Sequence, residues 1–229
     1  MTPAVYRLRL RGDTSAVTGP GQFVNIRVEG SFLRRPFSVC DVEGDALTVV
    51  YKAVGHGTEK LRRLARGIEL DVLTGLGNGF DIALSGEKPL LLGGGVGFTP
   101  LYFLAKELVS QEKQVAVALG FNTRDEVLYE AEFKALGCAV IVTTVDGSYG
   151  VRGFVTDVLP KEYTYFYTCG PEPMLKAVCG AVKTSGQLSF EARMGCGFGA
   201  CMGCTCETVA GPKRICREGP VLMREDILW

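Results

Sequence analysis

Apolar and polar residues alternate through the first third of the chain. Residues 5–10 (VYRLRL), 23–28 (FVNIRV) and 46–52 (ALTVVYK) are short period-two runs separated by turns containing Gly, Asp and Pro, the pattern of antiparallel strands with one face in a core. One helix is expected after Gly57 and Thr58, where Leu61, Leu64 and Ala65 fall on a shared face. A small barrel with one helix fits. From Pro89 the rhythm changes to continuous apolar strands alternating with amphipathic helices: strands at 90–92, 115–121, 140–145 and 165–169, helices at 99–109, 126–136 and 172–183. A parallel sheet covered on both faces requires that text. Beyond 187–193 (QLSFEAR) the sequence turns rich in Gly and Cys, with too few aliphatic residues for a core of its own. The expected class is α+β multi-domain: an N-terminal antiparallel β-barrel (1–86), a central α/β parallel-sheet nucleotide-binding domain (87–184) and a C-terminal cysteine-rich subdomain (185–229).

Composition narrows the function. Lys plus Arg (25) balances Asp plus Glu (25), so the chain lacks the electrostatic footprint of a nucleic-acid binder. The longest uncharged stretch, 89–105, is broken by Gly and Pro, and no membrane span is expected. The N-terminus has no signal-peptide apolar region. A cytoplasmic location with reduced thiols follows as an expectation. Nine cysteines in such a compartment point to a metal or cluster site rather than a disulfide framework.

Cys196, Cys201 and Cys204, with Cys216 further on, reproduce the C-x₄-C-x₂-C…C spacing of a plant-type [2Fe–2S] site. Four thiolates must converge on two irons, which draws the first three onto one tight loop, and the glycines around them let the backbone wrap. The same residues can hold a structural Zn²⁺, but zinc knuckles come as two pairs, whereas here three cysteines crowd one loop. Cys206 lies two beyond Cys204, so in an extended segment it faces the other way. Cys216 is preferred as fourth ligand.

Four further motifs suit phosphate-bearing cofactors. Arg34-Arg35-Pro36-Phe37-Ser38 opens a strand, and Gly55-His56-Gly57-Thr58 opens the helix. An Arg forks onto phosphate oxygens, and a helix start offers unpaired N–H groups. Each also has a plainer reading, as an edge-strand start or a helix cap. Gly93-Gly94-Gly95-Val96-Gly97-Phe98-Thr99-Pro100 follows an apolar strand and opens a helix, but it is not the strict dinucleotide fingerprint. Cys169-Gly170-Pro171 ends another strand in the same manner. Asn122, Arg124 and Asp125 give mixed cues on NAD versus NADP. His56 is the sole histidine, and between glycines at a helix start it reads as a loop residue; hydrolase triads built on histidine fail.

These motifs, in this order, resemble the ferredoxin–NADP reductase superfamily over residues 3 to 185, and the cysteine tail is similar to that of the electron-transfer subunits of bacterial dihydroorotate dehydrogenase B. The resemblance implies FAD on Arg35, Pro36, Phe37 and Ser38, with Val50, Tyr51, Lys52, Gly57 and Thr58 as the other flavin contacts. It implies NAD as substrate at Gly94, Gly95, Gly97, Thr99, Pro100, Cys169, Gly170 and Pro171, and a [2Fe–2S] cluster on Cys196, Cys201, Cys204 and Cys216. Ser38 is the candidate hydrogen-bond partner of the reactive flavin nitrogen, and Cys169 the candidate neighbour of the nicotinamide. The chain is short for that family, chiefly in loops, so the resemblance bears less firmly on the cofactor-binding loops than on the cofactors.

Hydride is a two-electron currency and an iron–sulfur cluster carries single electrons, so a flavin must convert between them. The resemblance then implies electrons leaving dihydroorotate on a separate FMN-containing catalytic subunit, crossing the cluster near the subunit interface, and passing through FAD to NAD⁺, in a heterotetramer of two subunits of each kind. The neighbouring alternative is the FAD/[2Fe–2S] small subunit of an NADH-dependent ferredoxin:NADP⁺ oxidoreductase or a sulfhydrogenase. From another class comes a redox-sensing module without turnover, which has no need of the glycine run after Leu92.

Overall fold

The computed structural model describes residues 4–229. The N-terminal runs form β1 (Val5–Arg11), β2 (Phe23–Ile26), β3 (Arg35–Glu43), β4 (Ala46–Lys52) and, after helix α1 (His56–Arg62), β5 (Val72–Leu76). They pair in the order β1-β4-β3-β2-β5, antiparallel throughout. Side chains alternate as a pleat demands. Val24, Ile26, Phe37, Val39, Leu47, Val49 and Tyr51 enter one core together with Leu61 of α1. The helix is shorter than its pattern suggests: Leu61 is buried, but Leu64 is 41% exposed, so nothing rewards continuing past Arg62. In β2 the opposite face, Phe23 and Asn25, is buried too. Something must cover it, and the C-terminal segment does.

The second sheet contains β6 (Pro89–Gly94), β7 (Ala116–Phe121), β8 (Ala139–Thr144), β9 (Val151–Arg152), β10 (Tyr165–Cys169) and β11 (Gly186–Ser189), with helices α2 (Phe98–Ser110), α3 (Glu130–Ala135) and α4 (Glu172–Ala181). The hairpin β12 (Thr205–Cys206) and β13 (Lys213–Arg214) follows, and β14 (Val221–Met223) returns to this sheet. Its order is β14-β11-β10-β6-β7-β8-β9, parallel apart from the antiparallel edge β14. Alternate residues serve opposite layers. Leu91, Val117, Leu119 and Tyr167 meet α2, while Leu90, Leu92, Ala118 and Phe166 meet α4. Full burial of β6 explains its unbroken apolar text.

Two boundaries depart from the sequence expectation. Where the pattern predicts a helix over 126–136, the chain makes a 3₁₀ turn at Arg124–Glu126 and helix only from Glu130. Tyr129 interrupts it with φ +64°, placing its ring 4.5 Å from Phe98 and 5.0 Å from Tyr102. Aromatic packing outweighs helical continuity. The segment assigned to the cysteine subdomain also lends β11 and β14 to the central sheet, so the cysteine loop is an excursion anchored at both ends.

Candidate functional site

The excursion gathers its cysteines in two pairs. In the first, Cys196 Sγ accepts from the N–H groups of Ala200 (3.2 Å) and Cys201 (3.4 Å), while Cys201 Sγ accepts from those of Cys196 (3.4 Å) and Gly203 (3.5 Å). In the second, the β12–β13 hairpin returns the chain so that the Cys216 N–H donates to Cys204 Sγ at 3.4 Å. Among the described residues no three His, Cys, Asp or Glu side chains are gathered as a single metal ion demands. Each pair offers two thiols, the number that each iron of a [2Fe–2S] cluster takes. Burial opposes ionisation of Cys196, yet the N–H groups of Phe198, Cys201 and Ala200 carry its thiol down to about 6. These donors suit thiolates, and iron must displace the thiol protons. Cys216 is raised by burial and by the neighbouring Cys204. Cys206 pairs with Lys213 in the hairpin and makes no hydrogen bond to the four sulfurs among the described residues.

This loop is docked on β2. Gly197, at φ +81°, presses so close to Asn25 of β2 that a Cβ would collide with the side-chain amide. Asn25 Nδ2 donates to the Cys196 carbonyl at 3.3 Å. Phe23 packs against Cys204, Ile215 and Cys216. Because Phe23 pairs with Ser38 and Asn25 with Pro36 across β2–β3, those four side chains share one face. Ser38 and Pro36 therefore project on the side of the sheet where the thiols lie. The Ser38 hydroxyl is half-buried and has no hydrogen-bond partner among the described residues.

The two phosphate-type motifs meet in space. Arg35 lies against Gly57, where a Cβ would strike its guanidinium, and its Nη1 donates to the Leu33 carbonyl at 2.6 Å. Thr58 is occupied locally: its hydroxyl oxygen accepts from the Val54 and Gly55 N–H groups at 3.0 and 3.1 Å. Tyr51 is buried with its ring 5.1 Å from Phe37, and burial raises its hydroxyl pKa. Val50 is buried in the larger core. Both side chains are buried, in the two cores on opposite faces of β4, leaving Arg35, Ser38 and the Gly57 backbone as the groups that can face a cofactor.

A cavity of about 790 Å³ opens beside this strand, at the carboxyl ends of β6, β7 and β8, where open α/β sheets place ligands. Gly94, Gly95 and Pro171 line it, with Lys52 reaching in from β4. Thr99, Pro100 and Gly97 lie buried beneath. Gly97 is where the β6–α2 turn crosses the end of β10: a Cβ there would stand 2.6 Å from the Cys169 carbonyl carbon. Cys169 is itself sealed, 3% exposed, its thiol pushed up to about 12 by burial. Its thiol is therefore part of the floor and not of the cavity wall.

Sequence reasoning missed two carboxylates here, Glu126 and Glu191, and gave Lys52 to the flavin alone. Lys52 Nζ pairs with Glu126 Oε1 at 3.2 Å, and Glu126 Oε2 accepts from Asn122 N (3.1 Å) and Nδ2 (2.9 Å). Burial would raise the Glu126 carboxyl, but Asn122 and Lys52 together hold it below the usual range. Glu191, just beyond β11, also lines the cavity. Although it is open to the cleft, surrounding protein raises its carboxyl above the usual range. A carboxylate two residues past a strand has no signal in periodicity. Only the parallel pairing of β11 with β10 reveals it.

Known proteins match both the cysteine segment and the central sheet. Residues 191–228 match the iron–sulfur cluster binding domain of dihydroorotate dehydrogenase B, and residues 91–180 the oxidoreductase NAD-binding domain. In structure the chain is similar over 100% of its length, and 86% of the other chain, to one from the NADH-dependent reduced ferredoxin-NADP oxidoreductase (TM-score 0.89, 29% identity). The cytochrome b5 reductase domain of Ulva prolifera nitrate reductase shares the fold over 77% of this chain and 85% of that one (TM-score 0.63, 18% identity). Among curated proteins, the dihydroorotate dehydrogenase B (NAD(+)) electron transfer subunit of Fusobacterium nucleatum is 42% identical, covering 97% of this chain and 92% of its own. That of Bacillus mycoides is 44% identical, covering 95% and 90%. With a ferredoxin-reductase-like fold, paired thiols on a wrapped loop and such identity along nearly the whole chain, the protein belongs to the family of dihydroorotate dehydrogenase B electron transfer subunits.

Proposed function

We propose that the chain passes electrons between a dihydroorotate-oxidising partner subunit and NAD⁺, using a [2Fe–2S] cluster and FAD. It is an oxidoreductase component of the flavin and iron–sulfur type. The observation that carries the reading is the docking of the thiol loop on β2, on the same face as Ser38 of β3. Cluster and flavin would then be neighbours, as single-electron exchange requires. When bound, FAD supplies the interchange between hydride and single electrons.

The chain's own residues divide the remaining work. Cys196, Cys201, Cys204 and Cys216 would hold the cluster, their sulfurs already facing backbone donors that lower the cost of negative charge. Arg35 and the Gly57 backbone would take flavin phosphate, with Pro36 and Ser38 toward the ring and Phe37 and Tyr51 packed behind the strands in the barrel core. Gly94, Gly95 and Pro171 would admit the nicotinamide nucleotide, with Lys52 as the cation at the cavity wall. Residues 1–86, 87–184 and 185–229 would correspond to FAD, NAD and cluster regions. The catalytic partner would carry FMN, two subunits of each kind forming the complex. No helix among the described residues is long and apolar enough to cross a membrane.

Anaerobic stopped-flow mixing of the purified holo-chain with NADH tests this reading. Rapid flavin bleaching followed by cluster reduction supports it, and an inert flavin refutes it in favour of a sensor. The structural likeness to the ferredoxin-NADP oxidoreductase chain keeps a second partner in view. Co-purification of a dihydroorotate-oxidising subunit, and not a larger flavin and iron–sulfur subunit, distinguishes the two.

A further inference from the structure

Cys216 sits between two charged residues that grip each other around it. Arg214, ending β13, and Glu218 flank the turn. Glu218 Oε2 accepts from the Arg214 backbone N–H at 2.8 Å and from Nε at 2.9 Å, and Nη2 donates to Oε1 to complete the fork. The third arm of the guanidinium, Nη1, donates to the Gly199 carbonyl at 2.7 Å. Gly199 lies in the loop between Cys196 and Cys201. One side chain thus ties the turn bearing the fourth thiol to the loop bearing the first three. Arg217 packs its aliphatic stem against the same glycine.

The arrangement has an electrostatic consequence. Through its bond to the Gly199 carbonyl, the guanidinium of Arg214, two residues before Cys216 in the chain, holds a positive charge against the loop that carries Cys196 and Cys201. Its side chain is 26% exposed and that of Glu218 36%, so solvent screens the pair only in part. Forked Arg–carboxylate geometry fixes both charges in place. Reduction adds one electron to a cluster already ringed by thiolates, and nearby positive charge favours the reduced form while negative charge opposes it.

Resting on the reading of these thiols as cluster ligands, we propose that the Arg214–Glu218 pair sets the reduction potential of the cluster, the guanidinium raising it and the carboxylate lowering it. Both act through charges that the fork holds in place beside the loop. Neither has to touch the irons.

EPR-monitored potentiometric titration of the purified holo-chain, with dithionite as reductant, tests the pair. R214Q leaves the carboxylate uncompensated and is expected to lower the potential. E218Q leaves the guanidinium uncompensated and is expected to raise it. The double variant R214Q/E218Q restores neutrality and is expected to return toward the wild-type value. A purely mechanical clip would move the two single variants in the same direction, and that result, or two unmoved potentials, overturns the proposal. Should R214Q fail to retain a cluster, E218Q and R214K still decide. R214K keeps the charge and is expected near the wild-type potential, and a clear fall there contradicts the proposal. A wild-type chain without a cluster would instead bring down the underlying ligand assignment.

Discussion

Replacing Gly97 by Ala places one methyl group at the crossing of two turns. The backbone there, φ −62° and ψ −11°, is one alanine adopts freely, so conformational strain does not enter. The methyl carbon would stand 2.6 Å from the Cys169 carbonyl carbon and 2.9 Å from Gly170 Cα, and closer still to the Cys169 carbonyl oxygen. Optimal carbon contacts lie at about 3.5–4.0 Å. An overlap of roughly 1 Å against main chain can be relieved only by moving the β6–α2 turn away from β10. Overpacking of that kind costs about 1–3 kcal/mol. Because both opposing groups are backbone, G97A belongs at the upper end, which at ~2–4 °C per kcal/mol for a chain of this size lowers Tm by roughly 6–12 °C. Displacing the floor beneath the cavity proposed for the nicotinamide nucleotide by such a distance is also expected to slow flavin reduction by NADH about 100-fold. The matched control is G94A, whose methyl meets the Met174 sulfur, the pliable end of a side chain, and Pro171 Cδ at 3.2 Å. Met yields readily, so the cost should stay below about 1.5 kcal/mol. Thermal denaturation and anaerobic stopped-flow of both variants check the argument. Equal stability of G97A and wild type, or a larger loss in G94A, refutes the packing reasoning.

Four further outcomes follow. C216S is expected to lose most of its iron and visible cluster absorbance while C206S keeps both, by iron analysis of anaerobically purified protein; the reverse pattern would move the fourth ligand to Cys206. N25A removes the donor to the Cys196 carbonyl and should weaken cluster retention about 10-fold without changing the flavin content, measured by chelator-driven iron release. The Glu126 carboxyl is held below its usual range, so its contribution to stability is present above the unfolded pKa of about 4.3 and is lost as pH falls through the lower folded value. E126Q should therefore flatten the acid limb of the stability curve, by less than about 1 kcal/mol for a pair this exposed. NADH should be preferred to NADPH in steady-state assays. Asp125 and Glu126 line the cavity while Lys52, the cation among its described lining residues, is already engaged by Glu126.

What could be read from the sequence was what is local. The three-leucine strand, the glycine turn after it and the cysteine spacing each occupy a few adjacent residues, and the structure places them as the text implies. The two weak motifs around Arg35 and Gly57 were separated in sequence and joined only in space. Contacts that organise the sites across the fold left no local trace. Asn25 reaches Cys196 across 171 positions and Lys52 reaches Glu126 across 74, and neither residue has a periodicity that announces a partner. Tyr129 shows the same limit from the opposite side: its helical pattern is real, but stacking on Phe98 overrides it. Cys169 was placed at the right strand end, but its burial follows from the sheet position of β10 between β6 and β11.

The central claim is that paired thiols and a flavin stand side by side in this chain and share electrons delivered as hydride. Freeze-quench EPR of the holo-chain after anaerobic mixing with NADH measures that most directly. The account predicts the signal of a reduced [2Fe–2S] cluster, appearing after the flavin band has bleached. A flavin that bleaches while the cluster stays oxidised, or a preparation carrying zinc in place of iron, would contradict it.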